Sequence, residues 1–287
     1  MKIGVFATFM SPHATPEMIT DFGRRAEAAG VDSIWMGEHV VLFDEMEFPY
    51  PGSKDGRIPV PEGGGMLDTM TTFGMLAGVT DKLRFGTGIA LVPQRNPIYT
   101  AKEVATLDWL SGGRMDFGIG VGWCKEEVIA CGYRWEDRGE RCDEFLQTMI
   151  NLWTEPVASF EGKYVQLAPC RMDPKPIQKP HVPIIVGGHG APSLRRAARF
   201  GAGWYGFALD VAGTAKVLEA LDRALADAGR SREGFEIVIT PVSTTAEDLE
   251  GFRALGVDRL VVQLGSQKPE RVDRRLDELA AMVDVAA

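Results

Sequence analysis

The chain has 287 residues, 45% of them hydrophobic and 25% charged, so it can bury one large core or two smaller ones. Its formal charge of −9 excludes nucleic acid or an anionic membrane surface as the main partner, and any anionic ligand would need a locally basic or amide-lined pocket. There is no long apolar run, and Met1-Lys2-Ile3 enters a strand at once, so neither a signal peptide nor a membrane span is expected.

Lys2 to Phe9 reads as a first strand. Thr15 and Pro16 then give an N-cap and a first-turn proline for a helix running to Ala29 and stopping at Gly30. Val31 to Met36 is a short buried strand that delivers Glu38 and His39 just beyond its end. From Val40 to Gly65 the prolines 49, 51, 59 and 61 and the run Gly63-Gly64-Gly65 exclude regular structure. So long an insertion beside an ionisable pair suggests a lid or substrate wall. Asp68 caps a helix to about Val79, and Leu83 to Ile89 is the next strand. Asn96-Pro97 opens a helix ending near Ser111-Gly112-Gly113; Met115 to Gly120 is again a strand, and helical sequence covers Lys125–Cys131 and Asp137–Trp153. Residues 155–181 form a second insertion, with a hairpin turn over Ser159 to Tyr164. Four further strands follow, Pro183–Gly187, Gly203–Phe207, Phe235–Pro241 and Arg259–Leu264. Their helices are Ser193–Phe200, Thr214–Ala228, Ala246–Leu255 and Glu270–Val283. Eight strand-helix units in this length fit an α/β fold, a (β/α)₈ TIM barrel with insertion loops, as a single domain over residues 1–287.

The carboxyl end of a barrel strand is where such folds place chemistry, which singles out Glu38 and His39. Because imidazoles ordinarily titrate near neutrality, His39 is the candidate acid/base, with Glu38 bonding a cofactor or orienting its neighbours. The glycines of Gly86-Thr87-Gly88 and Gly118-Ile119-Gly120-Val121-Gly122 have two readings: close packing at strand ends, or bare backbone against a flat ring. Gly187-Gly188-His189-Gly190 and Ser193 join a strand to a helix N-terminus, a turn whose amides suit a phosphate, with Arg195 and Arg196 adding charge. His13, His39, His181 and His189 are too scattered for a metal site, and no G-x-S-x-G elbow supports a hydrolase. Arg138, Arg141, Asp143 and Glu144 read as a surface ion-pair helix, and Trp153 and Trp204 as core residues. Cys124, Cys131, Cys142 and Cys170 read as reduced thiols of a cytoplasmic protein, the first two sharing an apolar helix face.

Several of these segments together resemble the bacterial luciferase-like flavin and deazaflavin oxidoreductases, particularly their F420-dependent branch. They are Trp35-Met36-Gly37-Glu38-His39, Leu83 to Gly88, Asn96-Pro97, Leu110-Ser111-Gly112-Gly113-Arg114, Gly118 to Trp123, Pro183 to Gly188 and Ala197 to Trp204. The resemblance implies a tricyclic ring at the carboxyl face of the barrel, with Glu38 and His39 beside it. It also implies a non-proline cis peptide at Gly88-Ile89, after Thr87, supporting the ring. Val121, Gly122 and Trp123 would contact ring and side chain, and Gly187, Gly188, His189, Gly190 and Ser193 the phosphate. The chain departs from relatives in two places: Glu38 stands where some F420 enzymes have Asp, and Trp123 where a sugar-oxidising branch has a catalytic Glu. The implied activity is hydride transfer between coenzyme F420 and a small organic substrate, with Phe6, Phe9 and the 40–65 loop as substrate wall. The alternatives are an FMN-dependent monooxygenase using oxygen and a non-catalytic flavin-binding protein. Implied partners are a second copy of the chain and a separate F420 or flavin reductase.

Overall fold

A computed structural model describes residues 1–50, 53, 56–265 and 268–286. Pro51, one of the prolines expected to keep the insertion irregular, lies outside them. Strands β1 (Lys2–Phe6), β2 (Ser33–Met36) and β3 (Arg84–Thr87) are followed by β4 (Ala90–Leu91) and β5 (Met115–Gly120). Strands β6 (Ala158–Glu161) and β7 (Gln166–Cys170) form the expected antiparallel hairpin, outside the main sheet. The last four are β8 (Ile184–Gly187), β9 (Gly203–Leu209), β10 (Glu236–Pro241) and β11 (Arg259–Gln263). The parallel order β3-β2-β1-β11-β10-β9-β8-β5 is closed by pairing of β3 with β5, which makes an eight-stave barrel. The helices are α1 (Pro16–Ala28), α2 (Thr69–Ala77), α3 (Pro97–Leu110), α4 (Lys125–Ala130), α5 (Arg138–Thr154), α6 (Ala191–Phe200), α7 (Val211–Asp227), α8 (Ala246–Ala254) and α9 (Pro269–Ala286). No helix among the described residues is long and apolar enough to cross a membrane.

Local chemistry sets most of these boundaries. Thr15, Asp68 and Asn96 accept first-turn amides of α1, α2 and α3, as their positions suggested. Two helices begin earlier than the sequence indicated. Asp210 caps α7 by accepting from Gly213 N at 2.7 Å, and α6 starts at Ala191 because Pro192 suits a first turn. The expected strand over Leu83–Ile89 stops at Thr87, where the peptide Gly88–Ile89 is cis and the chain resumes as β4.

Strand alternation divides the barrel into two cores. Ile3, Val5, Ile34 and Met36 face outward to the helices, while Trp35, Ile185, Tyr205, Val238 and Val261 fill the interior. Trp35 also explains the glycines of the central strands. A Cβ on Gly86 would overlap its indole, and one on Gly118 would strike the Thr87 carbonyl and lie 3.2 Å from Trp35. These two positions serve packing, so the flat-ligand reading does not hold for them. Below Trp35, the fully buried Arg259 forms ion pairs with Asp116 (2.7 Å), Glu236 (2.9 Å) and Asp32 (3.1 Å). Arg84 joins Asp116 from the side at 2.5 Å. This charged floor closes the amino-terminal end of the barrel, the face of such folds associated with stability.

The expected surface ion-pair helix is instead a buried fastening. Arg141 is 2% exposed, donates to the Pro93 and Arg134 carbonyls and pairs with Asp137. Asp143 holds the buried Arg196 of α6 at 2.5 Å, and Glu144 accepts the backbone amides of Lys163, Tyr164 and Val165 in the hairpin. Helical spacing alone could not show these long-range partners. Trp153 and Trp204 are buried as expected. Cys124 and Cys131 flank α4 as its two caps rather than lying within it, and all four cysteines are unpaired thiols.

Candidate active site

Strand β2 ends at Met36, so Glu38 and His39 have left the strict alternation of the sheet and turn to different neighbours. Glu38 is 8% exposed; one carboxylate oxygen accepts from Leu91 N at 2.7 Å and the other pairs with Arg95. Burial pushes its carboxyl above the ordinary range, against the pull of Arg95 and the Leu91 amide. Glu38 therefore ties the segment after β3 to the end of β2. Arg95 is the partner missed at sequence level, and it also reaches Glu103 at 2.6 Å.

His39 turns toward α4. Its Nδ1 lies 2.9 Å from Oε2 of Glu127, whose side chain is fully buried. The other Glu127 oxygen accepts from Val40 N at 2.6 Å. A carboxylate can only accept, so Nδ1 carries the proton in this contact, and in the neutral form of the ring the lone pair is then on Nε2. Glu127 was not foreseen. It follows another glutamate in a short helix and stands 88 residues from its partner, so no spacing rule points to it. Trp123 lies edge-on to His39 at 5.6 Å between ring centroids, and Tyr50 from the insertion meets Trp123 at 5.5 Å.

Aromatic side chains floor the mouth. Phe6 and Phe207 are 5.5 Å apart and Tyr205 is 6.3 Å from Phe207. The Tyr205 hydroxyl meets Thr240 Oγ1 at 2.6 Å. Phe6 is half-buried against the interior cluster of Trp35 and Tyr205, whereas Phe9 is fully buried and packs on Phe22 of α1 at 5.8 Å, in the outer core, away from any substrate wall. Ile89, just after the cis peptide, fills the space where a Cβ on Gly120 or Gly187 would stand. The bare backbone at those two strand ends therefore admits this side chain. Thr87 is 1% exposed and its hydroxyl donates to the Gly118 carbonyl at 2.6 Å, bridging β3 to β5. Val121 and Gly122 are half-buried, and Gly122 has φ +78°, which lets the chain turn from β5 into α4.

Across the mouth, Gly188 takes φ +105° and its carbonyl accepts the Trp204 indole N–H at 2.8 Å. Gly190 is the N-cap of α6 and no side chain accepts from the first-turn amides. The Ser193 hydroxyl donates to the Gly190 carbonyl at 2.8 Å, so it closes the turn. His189 is exposed, accepts weakly from Phe207 N at 3.3 Å, and has its pKa lowered by desolvation. Arg195 is exposed at this end, whereas Arg196, expected to add charge here, is buried against Asp143. An uncapped helix terminus after a glycine turn fits the phosphate of a ring cofactor, since unpaired amides and the helix dipole both favour an anion.

A closed parallel barrel with an imidazole-carboxylate pair at its carboxyl face is a site arranged for acid-base chemistry. Residues 1–281 match the luciferase-like monooxygenase family, and the chain belongs to it. It is 31% identical over 263 residues to an uncharacterized protein of Mycobacterium tuberculosis, covering 91% of this chain and 89% of that one. It is 32% identical over 141 residues to the FMNH(2)-dependent dimethylsulfone monooxygenase of Pseudomonas putida, 48% of this chain and 38% of that protein. Among solved structures, an F420-dependent secondary alcohol dehydrogenase in complex with an F420-acetone adduct superposes with a TM-score of 0.80 at 18% identity, over 100% of this chain and 99% of that one. At that identity the likeness speaks for the fold. The family is one of oxidoreductases and monooxygenases, and relatives of this chain differ in cofactor, an F420-dependent glucose-6-phosphate dehydrogenase of Microbacterium testaceum matching at 29% identity over 78% of this chain and 63% of that one.

Proposed function

We propose that the protein is an F420-dependent oxidoreductase acting on a small organic substrate, with reduced cofactor supplied by a separate reductase. The observation that carries this reading is the His39–Glu127 pair, 2.9 Å apart at the mouth of the barrel. Reduction of a carbonyl by hydride needs one proton for the oxygen, and a positioned imidazole can hold and release it. When bound, F420 supplies or takes the hydride at ring carbon C5.

The chain's own residues have separate tasks. Glu127 fixes the His39 tautomer, so that Nε2 is the nitrogen that takes up or gives the proton. Glu38 and Arg95 hold Leu91 and the segment after the cis peptide. Ile89, Val121, Gly122 and Trp123 form the support for the ring, with Thr87 and Gly88 behind Ile89. The amides at Gly188, Gly190 and Ser193 receive the phosphate, with Gly187 giving the turn room and His189 at its edge. Placement of donor and acceptor at contact distance contributes the larger share of rate, because it removes the entropy of bringing them together.

Titration of the purified protein with F420 and with FMN, followed by fluorescence quenching, tests the cofactor choice. Saturable binding of F420 is expected. Tight FMN binding with none for F420 would replace the proposal with an FMN-dependent monooxygenase.

A further inference from the structure

Strand β9 ends in a bulge whose cause lies in its neighbour. β9 and β10 run in register as far as Phe207 opposite Thr240; Leu209 then stands opposite Pro241, and Ala208 is skipped. Proline has no N–H to give to a ladder, so bulges gather at such positions. Ala208 takes φ +55° and is the one non-glycine residue with a positive φ among the described residues. Its methyl group is exposed, so the backbone rather than side-chain packing sets that conformation. The bulge resets the alternation of the strand. Phe207 packs on the interior cluster of Trp35 and Tyr205, whereas Leu209, two residues on, packs on the outer core.

On its other edge β9 pairs with β8 as far as Tyr205 opposite Gly187. There the Gly188 carbonyl has turned to the Trp204 indole, and Phe207 N donates to Nε2 of His189 at 3.3 Å. A backbone amide can only donate, so Nε2 holds the lone pair and the neutral ring carries its proton on Nδ1. Desolvation favours that neutral ring. No acceptor for Nδ1 is found among the described residues. His189 directly precedes Gly190, the N-cap of α6, where no side chain accepts from the first-turn amides. An Nδ1–H at this place adds one more donor to those amides. With the proton on Nε2, the form that histidine favours in water, the ring would offer a lone pair instead.

We propose that Ala208 is a positioning residue for the phosphate turn: its bulge presents the Phe207 amide to His189 and so fixes that imidazole as a neutral Nδ1–H donor to the bound anion. The inference rests on the turn's place in the proposed function and adds the residue that sets its donor.

The test uses the full chain with isotope-labelled histidine at about pH 8, above the ordinary imidazole range. Ring nitrogen chemical shifts read the His189 tautomer, assigned by loss of its signal in His189→Ala. Calorimetry reads the affinity for inorganic phosphate, FMN and F420. Ala208→Val and Ala208→Thr each bring a β-branched side chain that opposes a positive φ, whereas Ala208→Gly adopts it freely. Either β-branched variant suffices if it folds. The wild type and Ala208→Gly should show Nδ1–H, and the β-branched variant Nε2–H. Phosphate affinity should fall about tenfold in that variant and in His189→Ala, as for one lost bond to a charged partner. Nε2–H in the wild type, an unchanged tautomer in a folded β-branched variant, absent phosphate binding, or an affinity that does not follow the tautomer overturns the proposal. If inorganic phosphate binds through His189 while neither F420 nor FMN binds, the positioning role stands and the cofactor reading falls.

Discussion

Replacing Glu127 by Ala removes the acceptor for two well-formed, partly buried bonds, from Val40 N at 2.6 Å and His39 Nδ1 at 2.9 Å. A third, from Val41 N, is long at 3.5 Å and carries little weight. Bonds to a charged acceptor contribute about 1.5–3 kcal/mol each, which gives a ceiling of about 3–6 kcal/mol for the pair. The His39 side chain is 12% exposed, so water can replace part of its bond, and removing a buried charge relieves its own desolvation. A net loss of about 2–4 kcal/mol follows from bonds of this strength after that discount. Glu127→Gln keeps an acceptor for Val40 but presents an N–H₂ to His39, which moves the neutral ring's proton to Nε2. Its stability loss is smaller, about 1–2 kcal/mol for one weakened charged bond, while its effect on proton transfer remains. Urea unfolding of the three proteins reads the first quantity and the pH profile of turnover the second. An alanine variant within about 0.5 kcal/mol of wild type, or a glutamine variant as unstable as the alanine, would refute this account of the pair.

Two further outcomes follow from the same geometry. On the proposed function, His39→Ala leaves F420 affinity within about twofold of wild type and lowers turnover by about 10²–10⁴-fold, the range of general acid-base catalysis, in steady-state assays; an unchanged rate removes its role. Arg259→Met strips the barrel floor of its central cation and destabilises the protein by about 3–5 kcal/mol at neutral pH, measured by urea unfolding. Burial alone would raise the Asp116 carboxyl, but Arg84 and Arg259 outweigh it and hold it below the ordinary range. Its contribution is therefore present above the unfolded carboxylate value and is lost as pH falls through the lowered one. Glu236 is raised by burial, so its ionised form is a cost at neutral pH that protonation relieves. The penalty of Arg259→Met should consequently shrink as the carboxylates protonate, and a pH-independent penalty contradicts the floor's electrostatic role.

What the sequence disclosed and what it hid divide along sequence distance. The eight staves, the caps at Thr15, Asp68 and Asn96, and the hairpin near Gly162 follow from local propensity, and the structure shows all of them. The cis bond at Gly88–Ile89 was expected from the family resemblance alone, and it is there. Two partners of the Glu38-His39 pair were out of reach. Arg95 lies 57 residues from Glu38 and Glu127 lies 88 residues from His39, and only the closed barrel brings them together. The same limit applies to Arg141 and Asp143, whose charges looked like a solvated helix face but fasten α5 to neighbouring segments. Glycine was the most ambiguous residue. Gly86 makes room for Trp35, Gly118 for the Thr87 carbonyl, Gly120 and Gly187 for Ile89, whereas Gly188 and Gly190 shape an open turn. Composition treats these alike because the difference lies in what occupies the missing Cβ.

The most direct measurement of the central claim is a crystal structure of the protein soaked with F420. The ring should lie over Ile89 beside His39 and Trp123, with its phosphate against the amides at the start of α6. A mouth closed by its own side chains, or a ring bound away from the Gly188 turn, would contradict the account.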